Sequence, residues 1–417
     1  MSSSTPCTTA AINITPLLKK LHKPETHGLA IAEDISAAFA LIFEENRLSN
    51  IQAATFLTLL STTSRDKDAN VIAACAARMR DAASLMDLQQ LQTIIHQRAR
   101  TEGAYYGGLC DIVGTGGSPV QTYNISTTAS LIASSFLLMS KHGNRAQTSV
   151  SGAADILSSI APTPPNLLAS NAENIPTIYE NSNYAFLFAP NFHPGMRFAA
   201  PLRREMGIRT IFNLLGPLAH PIDELIEARV VGVTETSLGA TFAQALAISS
   251  KQKPPGRRKA MVVCARAGLD EISCEGVTDC WMLYEAEDGQ IGIRQFTLEP
   301  EHFGFSTHPL TAIRGGNAPK DNAMILMQML RGELNQDDPI LQVVLMNAAA
   351  MLVVSGACEA QSSHMGAGDD GSVIQEKGPG GGRWKEGVRR ARWAVQSGAA
   401  LKSLRAFIEI SNSFGGK

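Results

Sequence analysis

The segment LCDIVGTGGSPVQTYNISTTASLIASSFLLMSKHGNRAQTSVSGAAD, residues 109–155, decides the fold that this sequence predicts. Residues 109–113 have the length and apolar content of a short buried strand, and the glycines of 114–117 then allow a sharp turn close to a ligand. Ser126 and Thr127 are N-cap candidates for a helix whose free N–H groups and dipole suit a phosphate. The segment therefore predicts a strand, a glycine turn and a helix around an anion.

A second glycine turn follows in the same segment. The apolar run 136–139 predicts another strand, after which come Lys141, His142, Gly143, Asn144 and Arg145. Two fixed cations at a strand end need compensation for their desolvation, and an anion would provide it. Alternatives stay open, because the turn at 114–117 also fits an ordinary strand-to-helix connection and a lone histidine more often packs than reacts.

The composition indicates an ordinary soluble globular protein. With 417 residues, 44% of them hydrophobic and 18% charged, the chain can bury a sizeable core in more than one domain. A net charge of −2 and the lack of a basic aromatic stripe argue against nucleic acid as a partner. The seven cysteines form no C-x-x-C pair, which favours a reducing cytoplasm over disulfides. No apolar run predicts a membrane span, and residues 1–14 are expected to be a flexible tail.

The pattern of periodicity changes at about residue 105, from helical stripes to short aliphatic strands that alternate with helices. This predicts an α/β fold: a small all-helical domain plus a larger α/β domain with a mostly parallel central sheet flanked by helices. The helical domain is expected to comprise 15–103 and 191–221, and the α/β domain 104–190 and 222–417. The predicted strands are 109–113, 136–140, 185–188, 228–233 and 259–264.

The segment 366–382 contains seven glycines within the second of these domains. Such a composition buries too little surface to order itself, so a mobile insertion is expected there.

Two further charged pairs are candidates for chemistry. Asp270 and Glu271 follow a predicted strand, and adjacent carboxylates are reasonable Mg²⁺ ligands beside a polyphosphate, although such pairs are more often only solvated. Arg203 and Arg204 follow His193 on a predicted helix, where they form either a solvated pair or a fork for a carboxylate. Spacing alone does not decide between these interpretations.

Taken together, these motifs resemble the anthranilate phosphoribosyltransferases, in the nucleoside phosphorylase and phosphoribosyltransferase superfamily. The resemblance covers nearly the whole chain and rests on DIVGTGG, NIST, KHGNRA, SGAAD, HPGM, GIRTIFNLLGPL, GLDEIS, the pair Gly315 and Asn322, and WKEGVRRARWAVQSGAALKSL. It implies transfer of the phosphoribosyl group of 5-phosphoribosyl 1-diphosphate to the amino group of anthranilate in tryptophan biosynthesis, with Mg²⁺ and release of diphosphate. It also implies a homodimer formed through the helical domain.

The resemblance also implies roles for individual residues. Lys141, Asn144 and Arg203 would be catalytic, the arginine by orienting anthranilate through its carboxylate. Ser126, Asp270 and Glu271 would hold the metal. The substrate-binding residues would be Gly114, Thr115, Gly116, Gly117, Thr122, Asn124, Ser126, Thr127, Lys141, His142, Gly143, Asn144, Thr148, Ser151, His193 and Arg203.

One departure from the family pattern leaves other functions open. Ser118 stands where the family usually has Asp after GTGG, which puts the fine placement of the diphosphate or of a second metal in doubt. A catalytically silent binding paralogue is one alternative. A pyrimidine nucleoside phosphorylase is another, although that family has Lys-His-Ser where this chain has Lys141, His142 and Gly143.

Overall fold

Apolar runs of this sequence form one sheet, and amphipathic or wholly buried stretches form helices. The structure is a computed structural model that describes residues 11–23, 25–98, 100–146 and 149–415. The strands are β1 (Leu109–Gly114), β2 (Leu138–Gly143), β3 (Tyr184–Phe188), β4 (Ile226–Gly232), β5 (Lys259–Ala265), β6 (Thr278–Glu285) and β7 (Ile291–Leu298). The α-helices are α1 (Thr15–His22), α2 (Ala32–Ala40), α3 (Asn50–Thr62), α4 (Ala69–Asp81), α5 (Leu88–Arg98), α6 (Ile125–Ala133), α7 (Ala153–Ser158), α8 (Ile175–Asn181), α9 (Ala189–Phe192), α10 (Met196–Met206), α11 (Phe212–Leu215), α12 (Thr236–Ser250), α13 (Pro319–Leu330), α14 (Pro339–Ser355), α15 (Trp384–Gln396) and α16 (Ala399–Ser413).

The chain divides into two compact units. The helical unit consists of the described residues of Met1–Ser84 together with His193–Pro221, and the α/β unit consists of those of Leu85–Phe192 and Ile222–Lys417. This division differs from the predicted boundary after residue 103, because α5 belongs to the α/β unit. Its apolar face is part of the core of that unit.

The helical unit is held together by aromatic packing between its two chain segments. Phe39 of α2 lies 5.1 Å from Phe43 and 4.9 Å from Phe212, measured between ring centroids. Arg80 of α4 donates a 2.6 Å hydrogen bond to the Leu218 carbonyl oxygen. These contacts explain why residues 193–221 return to the helical unit.

The α/β unit is built on a seven-stranded sheet with the order β3-β2-β1-β4-β5-β6-β7. The five strands β1 to β5 all run parallel to their neighbours in the sheet. Strands β6 and β7 extend the sheet beyond β5 in antiparallel pairing. The predicted fold class, with a mostly parallel central sheet, is confirmed. The sequence analysis missed β6 and β7. The carboxyl ends of the five parallel strands share one edge of the sheet, where ligands of open α/β sheets bind.

Helix α14 forms the centre of the packed layer beside the sheet. Every residue from Leu341 to Leu352 is buried, and the helix packs against α6, α15 and β4. A helix that is apolar on all sides is expected where neighbours surround it. No helix within the described part of the chain is both long and apolar enough to cross a bilayer.

The segment 366–382 makes more bonds than its composition suggests. The Asp369 carboxylate accepts hydrogen bonds from Ser363 Oγ at 2.7 Å, from the Met365 N–H at 2.8 Å and from Arg389 Nη1 at 3.1 Å. The expectation of a mobile insertion considered only the surface that the segment could bury. The structure adds bonds to that picture, because the half-buried Arg389 of α15 is a charge partner of Asp369.

Candidate active site

The glycine turn after β1 needs glycine for two reasons, backbone conformation at Gly116 and Gly117 and lack of space at Gly114. Gly116 and Gly117 have φ values of +70° and +79°, in the left-handed region that favours glycine. A methyl group at Gly114 would overlap the Asp270 carboxylate. The Thr115 N–H donates a 2.9 Å hydrogen bond to the carbonyl oxygen of Gly232, at the end of β4. The turn is thus fixed by main-chain contacts at the carboxyl edge of the sheet.

The acidic pair Asp270 and Glu271 follows a tight turn at the end of β5. The Ala265 N–H donates to the Leu269 carbonyl oxygen at 3.0 Å, which reverses the chain directly after the strand. A methyl group at Gly232 would overlap the Asp270 carbonyl oxygen, so the turn packs directly on the backbone of β4. Asp270 is buried and Glu271 is half-buried.

The acidic pair bonds to two backbone donors, one in the glycine turn and one at the start of α6, the two places where the sequence predicts an anion. The Gly116 N–H donates to Asp270 Oδ2 at 2.8 Å, and the Ser126 N–H donates to Glu271 Oε1 at 3.2 Å. The sequence prediction treated the glycine turn and the acidic turn as separate features. The structure brings the two turns together. The carboxylates of Asp270 and Glu271 accept hydrogen bonds from backbone N–H groups that could otherwise face a phosphate.

Helix α6 begins at Ile125, two residues earlier than a cap at Ser126 would require. Asn124 is its N-cap residue, whereas Ser126 and Thr127 lie in the first turn, so the prediction that one of them caps the helix was wrong. The Asn124 side chain makes no capping bond, and its Nδ2 instead donates to the Ser151 carbonyl oxygen at 2.9 Å. Thr122 lies in the loop that precedes the helix. The Ser126 N–H of the first turn receives no capping bond from Asn124 and instead donates to Glu271.

Lys141 lies within β2 and not after it, because the strand runs from Leu138 to Gly143 where residues 136–140 had been predicted. Its side chain is only 3% exposed. Nζ donates to the Ile112 carbonyl oxygen at 2.5 Å and lies 3.5 Å from Ser126 Oγ. Burial lowers the pKa of Lys141, whereas the nearby acids Asp111, Glu271 and Asp270 oppose that shift.

The acidic pair carries more negative charge than its surroundings compensate. Burial, followed by repulsion from Asp270, raises the pKa of Glu271 to about 8, although Lys141 and hydrogen bonding from Ser126 act in the opposite direction. Two adjacent carboxylates in a desolvated site resist ionising together. A divalent cation would relieve that repulsion, so the donor chemistry fits Mg²⁺.

The described residues contain no group of three or more His, Cys, Asp or Glu side chains that could hold a metal by themselves. Two carboxylates and the Ser126 hydroxyl would therefore leave positions for ligand oxygens. Mg²⁺ is commonly bound in this way, through one or two carboxylates together with substrate phosphates.

The loop after β2 is shaped by Asp155, the last residue of the SGAAD motif. Its Oδ2 accepts hydrogen bonds from the Ala146 N–H at 2.8 Å and the Gly152 N–H at 3.0 Å. Asn144 is exposed at the start of the loop. The Ser151 hydroxyl is buried, and among the described residues it has no hydrogen-bond partner.

Three further predicted residues belong to strand β2 and its loop. His142 is buried near the end of the strand. Gly143 ends the strand where a methyl group would press against the Phe186 ring and the Ala153 side chain. Thr148, predicted to bind substrate, lies outside the described residues.

Two predicted residues belong to the helical unit. His193 is buried, and burial lowers its pKa to about 4, so the ring is neutral at pH 7. Arg203 on α10 is half-buried, with its guanidinium carbon 5.1 Å from the centroid of the Phe212 ring. Burial lowers the pKa of Arg203. A half-buried guanidinium stacked on an aromatic ring is well suited to a planar carboxylate.

Within the α/β unit, the structure thus joins the glycine turn 114–117, Ser126, Lys141 and the pair Asp270–Glu271. Sequence reasoning gave no role to Asn322, whose amide donates to Asn124 Oδ1 at 2.9 Å. Two signals were available. Asn322 is the one polar residue among the buried residues of α13, and it belongs to the family motif.

A cavity of about 720 Å³ opens elsewhere on the α/β unit, beside α5. Its lining includes Gln92, His96, Tyr106, Glu224 and Arg257. These residues precede β1, β4 and β5, so the cavity lies at the amino-terminal edge of the sheet. None of the predicted substrate-binding residues lines it.

Residues 107–401 match the family model described as the glycosyl transferase family, a/b domain. The chain therefore belongs to this family of glycosyltransferases. It is 39% identical over 302 residues to the anthranilate phosphoribosyltransferase of Schizosaccharomyces pombe, which covers 72% of this chain and 74% of that protein. It is 32% identical over 367 residues to the enzyme of the same name from Saccharomyces cerevisiae, covering 87% and 86% respectively.

Solved structures give the same result. The anthranilate phosphoribosyltransferase from Saccharomyces cerevisiae in complex with PRPP and Mg superimposes with a TM-score of 0.76 and 30% identity, covering 95% of this chain and 97% of that one. The same yeast enzyme in complex with 4-fluoroanthranilate gives a TM-score of 0.74 and 28% identity, over 95% and 97% of the two chains.

Within the glycosyltransferases, the chain belongs to the anthranilate phosphoribosyltransferases. Its activity is accordingly transfer of the phosphoribosyl group of 5-phosphoribosyl 1-diphosphate to the amino group of anthranilate, in tryptophan biosynthesis. The comparisons favour neither a nucleoside phosphorylase nor a silent paralogue.

Proposed function

We propose that the carboxyl edge of the parallel strands in the α/β unit binds 5-phosphoribosyl 1-diphosphate. The observation that carries this proposal is that Ser126, at the start of α6, contacts Lys141 Nζ through its hydroxyl and Glu271 through its N–H. A buried ammonium group beside a helix N-terminus favours phosphate oxygens. Gly114, Thr115, Gly116 and Gly117 would border the donor, although the N–H groups of Thr115 and Gly116 already bond to Gly232 and Asp270. Polar contacts would be added by Thr122, Asn124, Thr127, Gly143, Thr148 and Ser151.

Anthranilate would be oriented by Asn144 and Arg203, the arginine through the carboxylate of the acceptor. The half-buried guanidinium of Arg203 supports this role, since stacking on Phe212 restricts its orientation. His142 and His193 would line the path of the acceptor without acting as bases. The low pKa of His193 supports that assignment, because a neutral buried imidazole of this kind is a weak base.

Ser126, Asp270 and Glu271 would hold Mg²⁺. The raised pKa of Glu271 supports this, because uncompensated negative charge in the pair is what a divalent cation neutralises. When bound, Mg²⁺ supplies charge stabilisation for the diphosphate oxygens. The remaining positions around the ion would be filled by ligand oxygens.

In the reaction, the bond between ribosyl C1 and the diphosphate oxygen breaks and a bond from C1 to the anthranilate nitrogen forms. Lys141 and the N–H of Gly117, the turn residue whose N–H is not bonded to Gly232 or Asp270, stabilise the negative charge that develops on the departing diphosphate. The aromatic amine is neutral near pH 7 and already carries a lone pair, so no strong base is required. The amine proton leaves late, to water or to the carboxylate of anthranilate. Catalysis therefore consists mainly of positioning and leaving-group stabilisation.

Two further parts of the proposal concern assembly and location. A homodimer through the helical unit is supported by the exposed apolar side chains Leu29, Ile31 and Ile51, which are 65%, 58% and 81% exposed. Action in the cytoplasm is supported by the cysteines of the described residues, which are free and buried. Sedimentation of the purified chain tests the first part, and its distribution between cell fractions tests the second.

Anthranilate is fluorescent, which makes the central test direct. Purified protein is mixed with anthranilate, 5-phosphoribosyl 1-diphosphate and Mg²⁺, and loss of fluorescence is followed with the donor omitted as control. A fall that depends on the donor is expected. A constant signal would contradict the proposal, and phosphate-dependent release of thymine from thymidine would point to a nucleoside phosphorylase instead.

A further inference from the structure

Asn322, near the start of α13, lies in a chain of three hydrogen bonds that ends at the predicted donor site. The Gly316 N–H donates to Asn322 Oδ1 at 2.7 Å. Asn322 Nδ2 donates to Asn124 Oδ1 at 2.9 Å, and Asn124 Nδ2 donates to the Ser151 carbonyl oxygen at 2.9 Å. All four residues belong to the α/β unit, so this chain is internal to one compact body.

The direction of this chain is fixed at its far end. The Gly316 N–H can only donate, so the atom of Asn322 that faces it must be the amide oxygen. The NH₂ group of Asn322 consequently faces Asn124. Asn322 is only 2% exposed, and Gly315 has no room for a side chain because its Cβ would lie 2.5 Å from Asn322 Oδ1. The buried amide therefore has one orientation.

This orientation determines what Asn124 can offer to a ligand. An asparagine amide has two N–H donors and one carbonyl acceptor. The oxygen of Asn124 accepts from Asn322, and one of its two N–H bonds is used by the Ser151 carbonyl oxygen. The second N–H has no partner among the described residues, so Asn124 presents a hydrogen-bond donor to a ligand. Phosphate and ribosyl oxygens need such a donor.

The Ser151 hydroxyl supplies a second, independent observation beside Asn124. It is at least nine-tenths buried, and no partner for its Oγ exists among the described residues. A buried hydroxyl without a partner costs free energy unless a ligand or water satisfies it. A ligand or a water molecule is therefore expected at the hydroxyl of Ser151, the residue whose carbonyl oxygen accepts the Asn124 hydrogen bond.

We propose that Asn322 is a positioning residue for the phosphoribosyl donor, which it serves by holding the Asn124 amide in the orientation that directs an N–H group at donor oxygens. Asn322 itself touches no substrate. The inference rests on the proposed function, because it assumes that Asn124 contacts 5-phosphoribosyl 1-diphosphate.

Two variants separate this role from general packing. Asn322→Asp keeps the shape and the acceptor for the Gly316 N–H but cannot donate to Asn124, and Asn322→Ala removes the amide without adding charge. Both are expected to raise the KM for the donor about tenfold or more, the effect of a lost hydrogen bond to a charged ligand, while the KM for anthranilate changes less than about twofold. Calorimetric titration with the donor and Mg²⁺, without anthranilate, should show the same fold-loss of affinity.

A double-mutant cycle tests whether Asn322 acts through Asn124. Asn124→Ala should weaken donor binding by itself, and adding Asn322→Ala to it should change donor affinity less than about twofold, since residues that act as a unit are not additive. Asn174→Ala is the matched control for Asn124→Ala, because it also removes a half-buried amide, bonded to the Ala169 carbonyl oxygen of the same unit. That variant should bind the donor normally.

The outcomes are distinguishable. Wild-type protein that fails to consume anthranilate contradicts the proposed function. Active wild-type protein with unchanged donor affinity in Asn322→Asp and Asn322→Ala, or with additive effects in the cycle, overturns the positioning role alone. If Asn322→Ala does not fold, the isosteric Asn322→Asp gives the answer.

Discussion

The Asp270 carboxylate accepts a 2.8 Å hydrogen bond from the Gly116 N–H, although 154 residues separate the two positions along the chain. This bond joins the acidic turn after β5 to the glycine turn after β1. A second bond, from the Ser126 N–H to Glu271, joins the same acidic turn to the start of α6. A substitution in the acidic pair therefore changes the charge of the site and the geometry of its backbone together.

Replacing both acids, in Asp270→Ala with Glu271→Ala, should lower kcat by about 100-fold or more, or about 3 kcal/mol of transition-state stabilisation. The loss follows from removal of the charges that would hold Mg²⁺ against the departing diphosphate. Anthranilate fluorescence at saturating Mg²⁺ measures it. The exposed acidic pair of the β6–β7 hairpin provides a control of equal charge change, Glu287→Ala with Asp288→Ala, which should keep normal turnover. Undiminished turnover in the first variant would refute the metal role.

Replacing the half-buried guanidinium, in Arg203→Ala, should raise the KM for anthranilate about tenfold or more and leave that for the donor nearly unchanged, because only the acceptor carboxylate loses a partner. Arg203→Lys should restore activity only in part, since an ammonium group lacks the planar fork. The neighbouring exposed Arg204→Ala is the control. Equal losses for both substrates would count against carboxylate recognition.

Ser118 connects the glycine turn to the acidic turn by a side-chain bond. Its Oγ donates to the Gly268 carbonyl oxygen at 3.1 Å and accepts from the Val120 N–H at 3.2 Å. Ser118→Ala should therefore raise the KM for the donor about fivefold, the effect of one neutral hydrogen bond. Ser118→Thr, which keeps the hydroxyl, should restore it. Steady-state kinetics at fixed Mg²⁺ provide the measurement, and a variant as poor with threonine as with alanine would exclude the hydroxyl as the cause.

The Asp369 carboxylate should be important for stability and not for turnover. Asp369→Ala leaves Arg389 Nη1 and the Ser363 hydroxyl without their acceptor, although Arg389 keeps its two bonds to Glu386, and should lower the free energy of unfolding by about 2 kcal/mol. Urea denaturation at pH 7 measures the change. Asp370→Ala, which loses only exposed bonds to Ser372, should have a smaller effect. Equal effects would show that the buried bonds add nothing.

The same carboxylate gives a dependence on pH. Burial opposes ionisation of Asp369, but hydrogen bonds from Met365, Ser363 and Arg389 outweigh it and lower its pKa to about 2. A depressed carboxyl pKa stabilises the folded state above the pKa of the unfolded chain. The difference in unfolding free energy between wild type and Asp369→Ala should therefore shrink as the pH falls from about 4 towards about 2. A constant difference over that range would contradict this assignment.

Local pattern was enough to predict the parallel part of the sheet. The runs around Cys110, Val230 and Val262 are apolar and are followed by turn residues, which specifies buried strands without knowledge of their neighbours. The antiparallel strands β6 and β7 were not predicted. In β7, the edge strand, Arg294 and Gln295 interrupt the apolar run. The pairing of both strands depends on contact with β5, which no local pattern reveals.

The site shows the same limit. The residue types of Lys141 and Asp270 indicate anion and metal chemistry, and the sequence predicts both. The bond between Gly116 and Asp270 could not be predicted, since it depends on the relative positions of the ends of β1 and β5, which are distant in sequence. The cap at Asn124 was missed because asparagine and serine are similarly good N-caps, so propensity could not choose between Asn124 and Ser126.

Gly232 has no functional group, yet it sets the distance between the acidic turn and the sheet. Because the Asp270 carbonyl oxygen rests on the bare backbone at this point, a single added methyl group would push Asp270 and Glu271 away from β4. Because Gly232 has no side chain, the acidic turn can lie directly against the backbone of β4. In a screen of random substitutions, this position should be among the least tolerant in the α/β unit, and its variants should lose catalysis although every chemically active side chain is intact.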